Sequence, residues 1–88
     1  MKIPVVTGKF KKDYKLLKKR GDDLNKIDHI MTELMNEKEL PEINCDHTLI
    51  GNYIGCRECH IEPDWLLIYE LTETEIYFLR TGTHSGLF

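Results

Sequence analysis

The sequence predicts an α+β fold in which an N-terminal strand and an αα-hairpin pack on a small, mainly antiparallel sheet, in the order strand–helix–helix–strand–strand–strand. Three observations carry that prediction. Apolar side chains recur every three or four positions over residues 10–34, the period of a helix. Trp65–Leu71 and Glu75–Leu79 are apolar runs of strand length, separated by a polar Thr-Glu-Thr-Glu link. The chain has 88 residues, 41% of them hydrophobic, enough for one modest core, so residues 1–88 are read as one domain.

The elements follow in order. Lys2–Thr7 reads as a short strand, and Pro4, which has no N–H to give a ladder, puts it at an edge of the sheet. Lys9–Arg20 carries Phe10, Tyr14 and Leu17 on one helical face, and Gly21 is a natural stop. Asp22 or Asp23 can cap a second helix with the stripe Leu24, Ile27, Ile30, Met31 and Leu34, which fades at Asn36–Lys38 and is closed by Pro41. Glu39–Gly51 reads as a loop, long enough to be suspected of function. Asn52–Ile61 reads as a strand, ended by Pro63. Trp65–Tyr69 is apolar at every position, as a central strand buried on both faces would be.

Charge is distributed unevenly. Residues 1–20 hold eight Lys and Arg against one acid, Asp13, whereas residues 21–88 carry a net charge of −10. The basic face of the first helix, Lys11, Lys12, Lys15, Lys18, Lys19 and Arg20, is either a solvated surface or a patch for a polyanion or acidic partner. No apolar run approaches the roughly 20 residues that span a bilayer. The N-terminal apolar segment is too short for a secretory signal, so the expected location is the cytoplasm, with no membrane partner. Three cysteines, an odd number, argue for reduced thiols.

The groups able to do chemistry gather at the ends of the apolar runs: His60 and Asp64 before the first, Arg80 and His84 after the second. Antiparallel pairing of the runs is expected to bring Asp64 to Arg80. Imidazole gives or takes protons near neutrality, and a guanidinium grips phosphate through its planar fork. Histidines, an acid and an arginine are the parts of a ribonuclease that needs no metal: a base for the 2′-OH, a cation for the phosphorane and an acid for the leaving 5′ oxygen. Metal binding by the same histidines is the rival reading. Cys56-Arg57-Glu58-Cys59-His60 matches the pattern of covalent haem attachment only formally, because on a strand Cys56 and Cys59 would point to opposite faces, Cys59 towards the core. Composition favours core packing for Trp65, and Phe88, at the chain's end, is suited to stacking on a base.

From Asp46 onward the chain resembles the YafQ branch of the RelE-like bacterial toxins of type II toxin–antitoxin systems. The resemblance is carried by Asp46-His47-Thr48-Leu49-Ile50-Gly51, by Arg57-x-x-His60-x-x-Pro63-Asp64-Trp65, and by Arg80-Thr81-Gly82-x-His84-x-x-Leu87-Phe88. It implies a RelE-like fold and a metal-independent endoribonuclease, without cofactor, that cuts mRNA in the ribosomal A site. It also implies His84 as general acid, Asp64 or His60 as base, and Arg80 as the cation that stabilises the transition state. His47, Trp65 and Phe88 would contact the RNA, and the basic helix would contact ribosomal RNA. A cognate antitoxin is the implied protein partner, with operator DNA reached only through the antitoxin complex. Thr48 stands where the family usually has proline, which is expected to loosen the loop carrying His47. The alternative on the same fold is a ParE-like poison of DNA gyrase, which would need no acid–base set.

Overall fold

The computed structural model describes residues 1–88, except the side chain of Asn52. Strand β1 (Ile3–Val6) leads into helices α1 (Gly8–Lys19) and α2 (Leu24–Met35). Strands β2 (His47–Thr48), β3 (Arg57–Glu62), β4 (Trp65–Leu71) and β5 (Glu75–Gly82) follow, and a single helical turn, α3 (His84–Leu87), ends the chain. The strands form one mixed sheet in the order β1-β5-β4-β3-β2. β1 runs parallel to β5 at one edge, as Pro4 suggested, and the other pairings are antiparallel.

Both long helices start on side-chain caps. Thr7 Oγ1 accepts the Phe10 N–H at 3.1 Å, and Asp23 Oδ1 accepts that of Asn25 at 3.1 Å. Their apolar stripes (Phe10 and Leu17; Ile27, Ile30 and Leu34) bury against Cys59, Trp65, Leu67, Tyr69, Ile76 and Phe78 on one face of the sheet. Each such side chain fully removed from water contributes about 1.5–3 kcal/mol. Leu66 and Ile68 alternate with these residues along β4 and are also fully buried, yet lie outside the helix-side core. The central strand is thus covered on both faces, as its unbroken apolar run predicted.

The departures lie in the polar segments. The expected loop Glu39–Gly51 contains a 3₁₀ turn (Glu42–Asn44) and the two-residue strand β2, so the sheet has five strands where the sequence suggested four. β3 begins only at Arg57: Gly51 and Gly55 take φ of +78° and +88°, and residues 51–53 form a 3₁₀ turn rather than a strand. Cys56 therefore precedes β3, and strand alternation does not set its direction. Cys59 does lie in the core, and all three cysteines are free.

Two β-bulges shape the sheet. One falls between His60 and Glu62 on β3, and the other leaves Leu79 of β5 unpaired between the pairs Tyr69↔Phe78 and Ile68↔Arg80. Each adjoins a residue that the sequence had singled out, which is where bulges serve to re-aim side chains. The second changes the expected hairpin register. β5 runs past Leu79 to Gly82, so Arg80 faces Ile68 and not Asp64. Among the described residues, no helix is long and apolar enough to cross a membrane.

Candidate active site

The register lines up His47, Glu58, Ile68 and Arg80 in one row across β2, β3, β4 and β5, and His60, Leu66 and Gly82 in the next. Directly paired residues project to the same face. Cys59, Leu67 and Phe78 face the helices, so these rows belong to the opposite face. One group of side chains stands on it at β2 and β3, and a second gathers around the end of β5 and the turn that follows, with β4 between them.

The first group surrounds Glu58, a carboxylate only 5% exposed. His47 Nε2 lies 3.0 Å from Glu58 Oε2, and His60 Nε2 lies 4.0 Å from the same oxygen. The two imidazole centroids are 6.4 Å apart. His47 Nδ1 faces the Cys45 carbonyl, so a proton on either ring nitrogen has an acceptor. His60 Nδ1 is 3.2 Å from the Pro63 carbonyl. A proton held there leaves the Nε2 lone pair as the ring's basic site. Asn44, itself buried, donates to the His60 carbonyl at 2.7 Å beside the β3 bulge. Among the described residues, Glu58 Oε1 is buried without a hydrogen-bond partner, an unsatisfied acceptor in the middle of this group.

The segment bearing His47 is tied down from behind. Asp46 Oδ1 accepts from Tyr69 Oη at 2.7 Å and from Arg57 Nε at 3.2 Å. Burial, reinforced by the bond to Asp46, holds the Tyr69 phenol well above its ordinary pKa. With Thr48 paired to Arg57 as well, the loosening expected from the absent proline is countered by a strand pair and a part-buried clamp.

The second group is built by α3. Thr83 caps this turn, and Asp64 Oδ1 accepts the His84 N–H at 3.1 Å. Asp64 is thus brought to His84, not to Arg80 as expected from the shorter hairpin. The His84 ring lies 5.1 Å from that of Phe88, and Phe88 meets Tyr53 edge-on at 5.6 Å. Phe88 is 56% exposed and keeps a free aromatic surface. Arg80 is gripped by Asp13, through Nε at 2.7 Å and Nη2 at 3.1 Å. That hydrogen bond, with a smaller contribution from Tyr53, raises the guanidinium's pKa.

Trp65 requires a correction. It is 5% exposed and its indole N–H donates to Thr81 Oγ1 at 3.0 Å, so its ring is part of the core and offers no stacking face to RNA. Lys11, Lys12, Lys15, Lys18, Lys19 and Arg20 are exposed along α1. Sequence reasoning missed Glu58, Asp13 and Tyr53. Glu58 is two residues before His60 on an expected strand, and that spacing alone was the available signal. Asp13 was visible only as the single acid of the basic segment. Tyr53 carried no signal.

Cys59 and His60 are on opposite faces of β3, so the Cys-x-x-Cys-His pattern does not converge on a shared centre. Among the described residues, no group of three or more His, Cys, Asp and Glu side chains is arranged to hold a metal ion.

Comparison with known proteins adds to this geometry. A family model described as a bacterial toxin of type II toxin–antitoxin system, YafQ, matches residues 2–88. The mRNA interferase toxin YafQ of Escherichia coli K12 is 48% identical over 83 residues, which are 93% of this chain and 90% of that protein. The toxin in the crystal structure of the E. coli DinJ–YafQ toxin–antitoxin complex superimposes with a TM-score of 0.93 at 45% identity, covering 99% of this chain and 97% of the other. A metal-bound toxin from Helicobacter pylori gives a TM-score of 0.93 at 38% identity over the full length of both chains.

Proposed function

The chain belongs to the YafQ family of bacterial toxins of type II toxin–antitoxin systems, and from that membership we propose that it is an mRNA endoribonuclease acting on ribosome-bound message by acid–base catalysis, without a metal cofactor. The observation that carries this reading is the sharing of one sheet face by His47, His60 and Arg80, with His84 on the turn that directly follows β5. Cleavage of RNA by its own 2′-OH needs a base and an acid on opposite sides of the phosphorus, and a cation between them.

In the proposed mechanism His60 Nε2 takes the 2′-OH proton and the 2′ oxygen bonds to phosphorus. The charge that develops on the equatorial oxygens is met by Arg80. The P–O5′ bond breaks as His84 delivers its proton to the leaving oxygen, giving a 2′,3′-cyclic phosphate and a 5′-OH end. Asp64 acts by holding the backbone of His84, since its carboxylate oxygen already accepts that N–H. Glu58 fixes His47, and His47 and Phe88 position the nucleotides on either side of the scissile bond. The exposed cationic side chains of α1 neutralise ribosomal RNA phosphates, and the ribosome supplies the alignment of message that so open a site does not.

The partners in this reading are the ribosome, its mRNA and a cognate antitoxin, as DinJ is for the E. coli toxin; operator DNA is reached only through that complex. The cell compartment is the cytoplasm, where the message is translated. The metal-bound relative makes metal chemistry the rival, so the test includes a chelator. Brief induction in bacteria, with mapping of new 5′ ends on a translated mRNA, is expected to reveal cuts that vanish in His84→Ala and when translation is blocked. Purified protein freed of transition metals by a chelator selective for them, with the Mg²⁺ that holds the ribosome together retained, is expected to cut ribosome-bound message equally well. Growth arrest without new ends would replace this reading with gyrase poisoning.

A further inference from the structure

We propose that Asp13 is the positioning residue for Arg80, fixing the guanidinium so that its free edge faces the scissile phosphate. This rests on the reading of Arg80 as the cation that stabilises the transition state. Asp13 is the single acid among residues 1–20, a segment with eight Lys and Arg. A solvated carboxylate there would pair with the lysines around it. Its side chain is instead 15% exposed, and its one salt bridge among the described residues is to Arg80, 67 positions away in sequence.

The contact lies where the sheet needs it. β1 stops pairing with β5 at Val6↔Phe78, so beyond Phe78 the outer edge of β5 has no strand neighbour. Helix α1 takes the place of that neighbour. Thr7 Oγ1 donates to the carbonyl of the bulged Leu79 at 2.9 Å, and Asp13 Oδ2 accepts the Thr81 N–H at 3.2 Å. The two backbone groups flanking Arg80 are thereby satisfied by α1 and its cap, which pins the bulge and the direction in which Arg80 leaves the strand.

Asp13 leaves the other edge of the guanidinium uncovered, with the Tyr53 phenol close by. Asp13 binds Arg80 side-on, using Nε–H and one N–H of Nη2. The N–H groups of Nη1 and the remaining one of Nη2 form the end-on edge, whose spacing matches two oxygens of a phosphate. The carboxylate offsets part of the positive charge, and in return the guanidinium needs no reorientation when the phosphorane forms. A lysine at position 80 could not be held on one side and bind on the other in this way.

The two Asp13 oxygens allow a clean test. Oδ2 accepts both Arg80 Nε–H and Thr81 N–H, while Oδ1 accepts Nη2–H alone. Asp13→Asn, with its oxygen at the Oδ2 site, keeps the backbone anchor and sets an NH₂ against Nη2, breaking the fork. Asp13→Ala removes both. Single-turnover cleavage of ribosome-bound mRNA would be measured for both variants, for Arg80→Ala and Arg80→Lys, and for Asp13→Asn in the Arg80→Lys background, with thermal unfolding of each. The expected result for Asp13→Asn is a folded protein whose maximal rate falls about ten- to a hundredfold with half-saturation little changed, and a loss under about twofold when Arg80 is already lysine. Full activity of Asp13→Asn beside an inactive Arg80→Ala overturns the positioning role and leaves the Arg80 reading standing. Equal losses from Asp13→Asn in both backgrounds also overturn it, because they mark a purely structural residue. Wild-type cleavage by Arg80→Ala overturns the Arg80 reading, and this inference with it.

Discussion

The Asp64 carboxylate accepts the backbone N–H of His84 at 3.1 Å, joining the start of β4 to the turn that carries the proposed general acid. The contact supports the proposed holding role for Asp64, and two variants separate that role from that of a base. Asp64→Asn retains an oxygen able to accept the N–H and is expected to cut within about threefold of wild type. Asp64→Ala frees α3 and is expected to lose tenfold or more, since misplacing a catalytic group by about 1 Å can cost a hundredfold. Equal, severe losses in both variants, measured as single-turnover rates, would make Asp64 a proton acceptor instead.

Trp65 belongs to the core, so its substitution is expected to act on stability. Trp65→Phe keeps an aromatic ring but leaves buried Thr81 Oγ1 without its donor, a loss of about 1–2 kcal/mol. Chemical denaturation measures the cost directly. Cleavage per folded molecule should stay near wild type, and a collapse of activity at unchanged stability would put the indole on the substrate.

The core cysteine gives a pH signature. Burial pushes the Cys59 thiol from 9.0 up to about 12. Between those values the unfolded chain has lost a proton that the folded chain keeps, so stability contributed by this group is intact below pH 9 and is lost as pH rises towards 12. The expected slope from one such group is about −1.4 kcal/mol per pH unit. Denaturation of wild type and Cys59→Ala across alkaline pH should differ by that slope. Native protein should react with a thiol reagent first at exposed Cys45.

For α1 the expected signature is ionic. Replacing Lys11, Lys15 and Lys18 with glutamine should weaken ribosome association and flatten its salt dependence by roughly 0.7–0.9 in log–log slope for each phosphate no longer neutralised. Binding measured from low to high salt would show it, and an unchanged slope would assign these lysines to solvent.

What the sequence made legible follows from physical range. Helical stripes and the apolar run of β4 are local patterns, and the sheet's central strand, the helix pair and the edge position of Pro4 all emerged from them. The motif residues were legible by resemblance, and the structure brings His47 beside His60 and His84 beside Phe88. The β5 bulge was not legible, because Leu79 gives no local sign that it is unpaired. The bulge depends on Thr7 and Asp13, more than 60 positions away. The extension of β5 to Gly82 moved Asp64 from Arg80 to His84, an error of register that no strand-length rule could correct. The turns around Gly51 and Gly55 needed φ values that the glycines permit but do not announce.

The most direct test of the central claim, that His60 and His84 divide base and acid, is the pH–rate profile of single-turnover cleavage on ribosome-bound mRNA. It would be taken with a chelator selective for transition metals and ribosomal Mg²⁺ retained, for wild type, His60→Ala and His84→Ala. Wild type should show a bell, because the base must be deprotonated and the acid protonated. His60→Ala should be slow and lose the fall in rate at low pH; His84→Ala should be slow and lose the fall at high pH. Wild-type rates and an unchanged bell in both variants, or activity abolished by the selective chelator at constant Mg²⁺ and restored by a transition metal, would contradict the account.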